Sequence, residues 1–158
     1  WIHSEYTEGN PDRPDGLFFD VTNRDLLDIR GNQLIRSPEW KLSLGAQYVA
    51  DLSDSSTLTL RGEAAWSDTI YNDIFNGEAT YQDATVQPSY WVVNARAIWD
   101  IEEGKYSVQL FGENLTNEYY AVNRVAFNTP TTLVSVGGQY AAPRTFGIRV
   151  AMKLDNFE

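Results

Sequence analysis

The chain has 158 residues, with 42% hydrophobic and 13% aromatic side chains and a formal net charge of −10. It is long enough to form one domain, and an acidic chain without a basic stripe argues against nucleic acid as a partner. No run of about 18 apolar residues exists, which excludes a helical membrane span. Cysteine is absent and His3 is the single histidine. Ser–His, Cys–His and ordinary zinc sites are therefore removed, and we expect no enzyme activity, cofactor or metal.

The first half of the chain predicts a long loop followed by a β-hairpin. Residues 1–8 suit the end of a strand, and residues 9–38, rich in Pro, Gly, Asp and Asn, are long for an ordinary connection. Residues 40–50 and 57–67 place apolar side chains at alternate positions, which is the period of a strand with two different faces. The polar residues 53–56 between them predict a tight turn.

The second half repeats this order of long loop, strand, short turn and strand. The predicted elements are a loop at residues 68–89, a strand at 90–99, a turn at 102–104, a strand at 105–115, a loop at about 116–143 and a closing strand at 144–154. Long loops at one end of the strands and short turns at the other end are typical of outer-membrane β-barrels.

The closing strand alternates most strictly. Its apolar positions are Phe146, Ile148, Val150, Met152 and Leu154. At roughly 3.3 Å per residue it spans about 36 Å, and at a tilt of about 45° it rises about 25 Å, the height of the apolar band of an outer-membrane barrel. Strands of soluble proteins are usually about 5–6 residues long. Length and alternation together indicate that the apolar face meets lipid.

Charged side chains fall on the opposite positions of the predicted strands. They are Arg61, Glu63, Arg96, Glu113, Arg149 and Lys153. An Arg at the middle of a bilayer costs about 2–4 kcal/mol, so this consistent placement predicts a lumen lined by a charge network. Aromatic residues near the strand ends suit the two interfacial girdles of such a barrel. These residues are Trp40, Tyr48, Trp66, Trp91, Trp99 and Tyr106.

The second and third loops contain the candidate ligand-binding residues. Rings offer stacking faces and amides offer paired donors and acceptors, the mixture that a polar organic ligand needs. The candidates are Tyr71, Asn72, Phe75, Asn76, Tyr119, Tyr120 and Asn123. The alternative is that these side chains pack the loops together or shield the mouth of the barrel. Acidic residues in the second loop are Ca²⁺ ligands in type, but their spacing has no EF-hand pattern.

Four stretches, in this order along the chain, resemble the TonB-dependent outer-membrane receptor family. Residues 109–120 (QLFGENLTNEYY) resemble a stretch near the end of these receptors, and residues 143–147 (PRTFG) resemble the start of their last strand. Residues 90–96 (YWVVNAR) and 31–38 (GNQLIRSP) are similar to two earlier family stretches. Each stretch alone is a weak signal, whereas the ordered set is fairly specific.

This resemblance implies an all-β fold, an antiparallel transmembrane β-barrel with long extracellular loops. Residues 1–158 would be the C-terminal segment, about the last six strands of a barrel of about 22, with the plug domain and earlier strands absent. The family implies a bacterial outer-membrane receptor that actively imports a siderophore, cobalamin, saccharide or similar nutrient. The implied partners are the lipid bilayer, the N-terminal plug and remaining strands, the TonB complex acting through the plug, the barrel-assembly machinery and a small nutrient ligand.

The last strand also resembles the signal that the barrel-assembly machinery reads. The matching residues are Thr145, Gly147, Val150 and Met152. Family members usually end on an aromatic residue, whereas Leu154 holds that place here and residues 155–158 follow. The assembly machinery would therefore meet a leucine and a four-residue tail where family members usually end on an aromatic residue.

Two other classes of protein stay open at this point. A passive porin would have a water-filled lumen and no plug before the barrel, and a soluble β-sandwich binding module would be a monomer in water without detergent. Asn114-Leu115-Thr116 fits a glycosylation sequon, but the resemblance is bacterial. We therefore interpret it as turn chemistry at the end of a strand.

Overall fold

The computed structural model of the chain describes residues 1–7, 17–19, 26–77, 82–129 and 132–154. The strands are β1 (Leu17–Phe19), β2 (Leu26–Asp28), β3 (Lys41–Ser53), β4 (Ser56–Ser67), β5 (Ile70–Tyr71), β6 (Val86–Gln87), β7 (Tyr90–Ile101), β8 (Tyr106–Glu113), β9 (Ala121–Thr129), β10 (Thr132–Tyr140) and β11 (Thr145–Met152). A four-residue helix, α1 (Gln82–Thr85), precedes β6. No helix in these ranges is long and apolar enough to cross a membrane.

The chain divides into two compact units. The sheet unit contains Leu42–Trp66, Trp91–Glu118 and Ala142–Glu158. The loop unit contains Trp1–Lys41, Ser67–Tyr90 and Tyr119–Ala141. The three segments of the loop unit are, in the main, the three long connections that the sequence predicts.

The sheet unit is built on a five-stranded sheet in the order β11-β8-β7-β4-β3. Strand β8 pairs antiparallel with both β7 and β11. All five strands confirm predicted ones, with ends that differ by at most three residues. The described sheet has one strand fewer than the predicted six or so, because residues 1–7 form only an isolated bridge, between Glu5 and Gln33.

The register separates the two faces of the sheet as the alternation predicts. On one face Ile148 lies opposite Leu110, and Val150 lies opposite Val108. On the other face Arg149 lies opposite Gln109. We call the first the apolar face and the second the polar face. The separation follows from the period of two, which sends successive side chains to opposite faces.

The apolar face of the sheet is uncovered. Ile148 is 65% exposed, Val150 is 70% exposed and Leu60 is 44% exposed. Among the described residues the buried apolar side chains are Ile29 and Ala121, both in the loop unit. A water-soluble sandwich must bury one face of each sheet against another layer. Within the described part of the chain, no second layer of this kind covers the apolar face of the sheet.

Short turns join the strands of each pair, as predicted. Residues 54–55 connect β3 to β4, and residues 102–105 connect β7 to β8. In the second turn Glu102, Glu103 and Gly104 have φ angles of 51°, 56° and 82°, and Lys105 N donates to Glu102 O at 3.0 Å. Three successive residues of this four-residue connection therefore have positive φ angles, which glycine adopts without strain.

The loop unit holds more regular structure than its sequence predicts. Strands β9 and β10 form an antiparallel hairpin within residues 116–143, which were predicted as loop. Its sequence mixes Val, Thr, Asn and Gly without strict alternation, and the register shifts twice along the hairpin. Strand β2 pairs with β1, and β5 pairs with β6. The long connections are therefore folded segments.

Candidate ligand-binding loops and polar face

Three of the predicted lumen charges form an ion-pair cluster on the polar face. Arg61 Nε donates to Glu63 Oε1 at 2.7 Å, and Arg61 Nη2 lies 2.5 Å from the same oxygen. Arg96 Nη2 lies 3.7 Å from Glu63 Oε2. The three side chains are 47%, 33% and 41% exposed for Arg61, Glu63 and Arg96. Ion pairs this exposed contribute about 0–1 kcal/mol to stability.

Two of the other predicted lumen charges, Glu113 and Arg149, extend the polar face toward the closing strand. Glu113 lies opposite Thr145 in the register, and Arg149 lies opposite Gln109. Both are exposed, and neither forms an ion pair within the described part of the chain. With Lys153 counted, cations outnumber glutamates four to two among the six predicted lumen charges. These six residues therefore carry a surplus of positive charge.

The residues of the predicted assembly signal divide between the two faces of β11. Thr145 and Gly147 lie on the polar face, and Val150 and Met152 lie on the apolar face. Gly147 lies under the ring of Phe111, so that a Cβ built at Gly147 would come within 2.6 Å of Phe111 Cε1. Gly147 is therefore required there by the close approach of an aromatic ring.

The four candidate residues of the second loop lie together, and both of their amides form hydrogen bonds inside the loop unit. Asn72 Nδ2 donates to Thr85 O at 2.9 Å. The amide of Asn76, oriented to match its partners, pairs with the backbone N and O of Gln33. Tyr71 and Phe75 are half-buried in the same segment. This arrangement matches the alternative in which these side chains pack the loops together.

The three candidates of the third loop have different surroundings. The Tyr120 ring stacks on Tyr90, with centroids 4.2 Å apart, and is half-buried. The Tyr119 ring stacks on Tyr140 at 4.5 Å and is 72% exposed. The Asn123 side-chain oxygen accepts a hydrogen bond from Arg36. Of these three, Tyr119 offers the most open aromatic surface.

Tyr140 was missed by the sequence reasoning, although it completes this stack. Its ring also lies over Gly138, where an added Cβ would be 3.4 Å from Tyr140 Cε2. Gly138, Tyr140 and Tyr119 therefore form a layered arrangement whose outermost ring faces solvent. Desolvation, followed by the hydrogen bond and charge interaction with Tyr140, raises the pKa of Tyr119 above its ordinary value. The Gly-Gly-x-Tyr spacing at residues 137–140 was the available sequence signal.

Gln87 and Arg124, also missed, join the second and third loops. Gln87 Oε1 accepts hydrogen bonds from Ala121 N at 2.8 Å and from Arg124 Nη2 at 3.3 Å. Arg124 Nη1 donates to Val86 O at 2.8 Å. Gln87 is 3% exposed, and buried hydrogen bonds to a charged group are among the stronger ones. The two candidate loops are thus parts of one packed unit.

The described residues contain no group of three His, Cys, Asp or Glu side chains placed to hold a metal. Asp73 in the second loop accepts hydrogen bonds from Phe75 N at 2.9 Å and from the Thr85 hydroxyl. His3 lies 3.5 Å from Glu5 and 3.8 Å from Glu39 on an exposed surface. The Asp73 carboxylate is therefore engaged in hydrogen bonds within the second loop.

Comparison with known proteins identifies the family. A family model described as "TonB dependent receptor-like, beta-barrel" matches residues 4–115. The chain belongs to this family. A comparison with curated protein sequences found no match. Among solved structures, the ferric yersiniabactin uptake receptor FyuA from Yersinia pestis is similar, with a TM-score of 0.62 and 19% sequence identity over 80% of this chain.

The match to FyuA covers 18% of that chain, so the present chain spans about a fifth of the solved structure that it resembles. At this identity the likeness concerns the fold, an all-β antiparallel portion of a TonB-dependent receptor barrel. The family is one of transport receptors of the bacterial outer membrane. Barrels of the outer membrane turn an apolar sheet face toward lipid and a polar face toward the lumen.

Proposed function

We propose that this chain is the C-terminal part of a bacterial outer-membrane receptor that takes up a scarce nutrient with energy relayed through TonB. The observation that carries the proposal is the uncovered apolar face of the sheet, with Ile148 and Val150 65% and 70% exposed, in a chain of this family. In hydrocarbon these side chains need no covering layer. The opposite face keeps its arginines and glutamates away from lipid.

The two edges of the sheet support a longer parent chain. Strands β3 and β11 each have one sheet neighbour in the described part of the chain. Unpaired backbone groups in hydrocarbon cost several kcal/mol each, so a wall in the membrane requires further strands on both edges. We propose that the earlier strands of the parent receptor supply them and close the barrel.

The loop unit is the proposed place of nutrient capture. The amides of Asn72, Asn76 and Asn123 already form hydrogen bonds within the unit. Tyr119 and the adjoining Tyr140 instead present an exposed ring, which suits stacking against a ring or a sugar face of a ligand. Direct contact is therefore assigned first to Tyr119, with Tyr140 supporting it.

The polar face is the proposed contact surface of the plug. Arg149 is exposed and carries no ion pair within the described residues, and the surplus of positive charge fits carboxylates of a plug domain. Replacing Arg149 by Glu reverses the charge, and replacing it by Lys keeps it. We expect Arg149→Glu, but not Arg149→Lys, to loosen the plug and to raise the sensitivity of the cells to vancomycin, a solute too large for ordinary porins.

Assembly of the barrel is the last part of the proposal. We propose that Thr145, Gly147, Val150 and Met152 present the closing strand to the barrel-assembly machinery. Their regular alternation across the two faces of β11 supports this role. Cells that express the parent receptor with these four residues of β11 replaced should show less folded receptor in the outer membrane. Replacing four residues of β3, two on each face, is the control and should have a smaller effect.

Uptake itself is tested with the parent gene in its own host. Cells with and without the gene are given radiolabelled ferric yersiniabactin, cyanocobalamin or maltohexaose at limiting concentration, and each strain is compared with a derivative that lacks TonB. The proposal expects uptake of one probe class that requires both the gene and TonB. Gene-dependent uptake that persists without TonB would show a passive channel instead.

A further inference from the structure

Asn114 lies where one long segment of the loop unit leaves the sheet unit and returns to it. That segment, Tyr119–Ala141, is flanked by Glu118 and Ala142, which we call its two feet. We propose that Asn114 is a positioning residue whose side-chain amide clamps both feet together and keeps the segment preformed. The consequence for nutrient binding rests on the proposed function, whereas the clamp itself does not.

The amide of Asn114 contacts both feet directly. Its Nδ2 donates to Glu118 O at 2.9 Å and to Ala142 O at 3.1 Å. Its Oδ1 accepts from Glu118 N at 2.9 Å and from Thr116 Oγ1 at 3.2 Å. An Asn side chain has two donor hydrogens and two acceptor lone pairs. Both donor hydrogens and one acceptor site are filled, the second acceptor site shares the single Thr116 hydroxyl hydrogen with Trp91 O, and the residue is only 5% exposed.

The clamp is fixed to the neighbouring strand β7 by three further hydrogen bonds. Asn114 N donates to Asn94 Oδ1 at 2.9 Å, and Leu115 N donates to Val93 O at 2.8 Å. Thr116 Oγ1 donates to Trp91 O at 3.0 Å. The feet are therefore tied to the rigid sheet as well as to each other.

The position selects asparagine for two independent reasons. Its φ angle is 50°, in the left-handed region that Asn and Asp tolerate better than other non-glycine residues. The two feet present carbonyl oxygens, which need a side chain with two N–H donors, and aspartate has none. The same contacts leave no room for a glycan on the Asn114-Leu115-Thr116 sequon, because both amide hydrogens are engaged. This is the turn chemistry that the sequence predicts.

Replacing Asn114 by Asp separates the clamp from the backbone conformation. Asp keeps the acceptors and tolerates the φ angle but loses both donations to the feet. Asn117→Asp is the matched control, because Asn117 has a φ of 53° and uses its Oδ1 only to accept from Arg144 N at 3.4 Å. An aspartate there retains that acceptor.

The experiment measures trypsin cleavage of the full-length receptor in outer-membrane vesicles. Arg124 is the only Lys or Arg between residues 119 and 141, so cleavage after it reports opening of this segment. When opening is fast relative to cleavage, the cleavage rate follows the population of the open state. Each neutral hydrogen bond contributes about 0.5–1.5 kcal/mol, so losing two predicts cleavage that is about 5- to 150-fold faster.

If Asn114 clamps the segment, cleavage after Arg124 should be faster in Asn114→Asp than in the unmodified receptor. Asn117→Asp should be cleaved at the same rate as the unmodified receptor, and the strands of the barrel wall should stay uncut in all three proteins. The clamp also predicts a higher half-saturation concentration for the nutrient probe that the receptor takes up, with an unchanged maximal rate per folded receptor. Equal cleavage in the two variants would overturn the proposal. So would an Asn114→Asp receptor cut throughout the wall, because that residue would then act on overall stability.

Asn114→Gly provides a second, uncharged variant. Glycine adopts a φ of 50° without strain, and it removes the amide without burying a carboxylate. The same increase in cleavage is expected, with Asn117→Gly as its control, and an unchanged rate would contradict the clamp. The cleavage comparison requires no nutrient, so its result is independent of whether the receptor imports one.

Discussion

An arginine placed on the apolar face of β11 tests the orientation of the sheet toward lipid. Ile148 is a suitable site, because the register places its side chain next to that of Leu110, and Leu110 next to Ala97, in one row across the apolar face. On β7, Trp91 and Trp99 bracket Ala97 on the same face, and they are separated by about 27 Å of strand. At a tilt of about 40° they lie roughly 20 Å apart along the membrane normal, as two aromatic girdles do.

This geometry sets the magnitude of the effect at each position. Ile148→Arg places a charge in the row of Ala97, two residues from Trp99 and six from Trp91, so its cost should lie between the about 0–1 kcal/mol of the interface and the about 2–4 kcal/mol of the midplane. Val150 lies in the row of Trp99, nearer the girdle, so Val150→Arg should cost less, about 0–1 kcal/mol at the interface. Ala151→Arg is the matched control. It changes the adjacent residue, which lies opposite Ser107 on the polar face, and we expect almost no cost.

The assay is reversible denaturant unfolding of the whole receptor in phospholipid vesicles, followed by tryptophan fluorescence. The expected order of destabilisation is Ile148→Arg, then Val150→Arg, then Ala151→Arg. If Ile148→Arg and Ala151→Arg lowered the free energy of unfolding equally, the apolar face would not meet lipid. The assignment of the two faces would then be refuted.

Three further predictions concern turns, packing and charge. Glu103→Asn should raise the free energy of unfolding by about 1 kcal/mol, because Asn adopts the positive φ of 56° at this position at less cost; an unchanged denaturation midpoint would contradict this. Gly147→Ala should cost about 1–3 kcal/mol in the same assay, because the new methyl meets the Phe111 ring, whereas Gly62→Ala, with nothing within 4 Å, should cost far less. Glu63→Gln should change stability by about 1 kcal/mol at most, because its ion pairs are partly exposed. A loss of several kcal/mol would show that the Arg61–Glu63–Arg96 cluster is structural.

Strand positions were predictable because two different solvents act on one sheet. A strand with lipid on one face and water on the other tends to alternate along its length, and the five long strands do so at most positions, with Ile98 and Phe111 as apolar exceptions on the polar face. The hairpin β9–β10 was not predictable in the same way. Its sequence lacks strict alternation, and two register shifts interrupt its pairing.

The candidate ligand residues show a similar division. Asn72 and Tyr119 have the polar and aromatic chemistry that a ligand needs, and the sequence treats them alike. In the structure the Asn72 amide is held by Thr85 O, whereas the Tyr119 ring stays 72% exposed. Which polar group is already satisfied depends on partners that are distant in the chain.

Sequence alone therefore determined the class of fold, the strand positions, the two faces of the sheet and the family, since each of these is written in local periodicity and short motifs. Tertiary structure decided which loop residues remain available to a ligand, and it showed that Asn114 joins two points of the chain that lie 24 residues apart, Glu118 and Ala142. The physical reason is that hydrogen-bond satisfaction and burial are properties of spatial neighbours, and neighbours brought together by folding leave no periodic trace in the sequence.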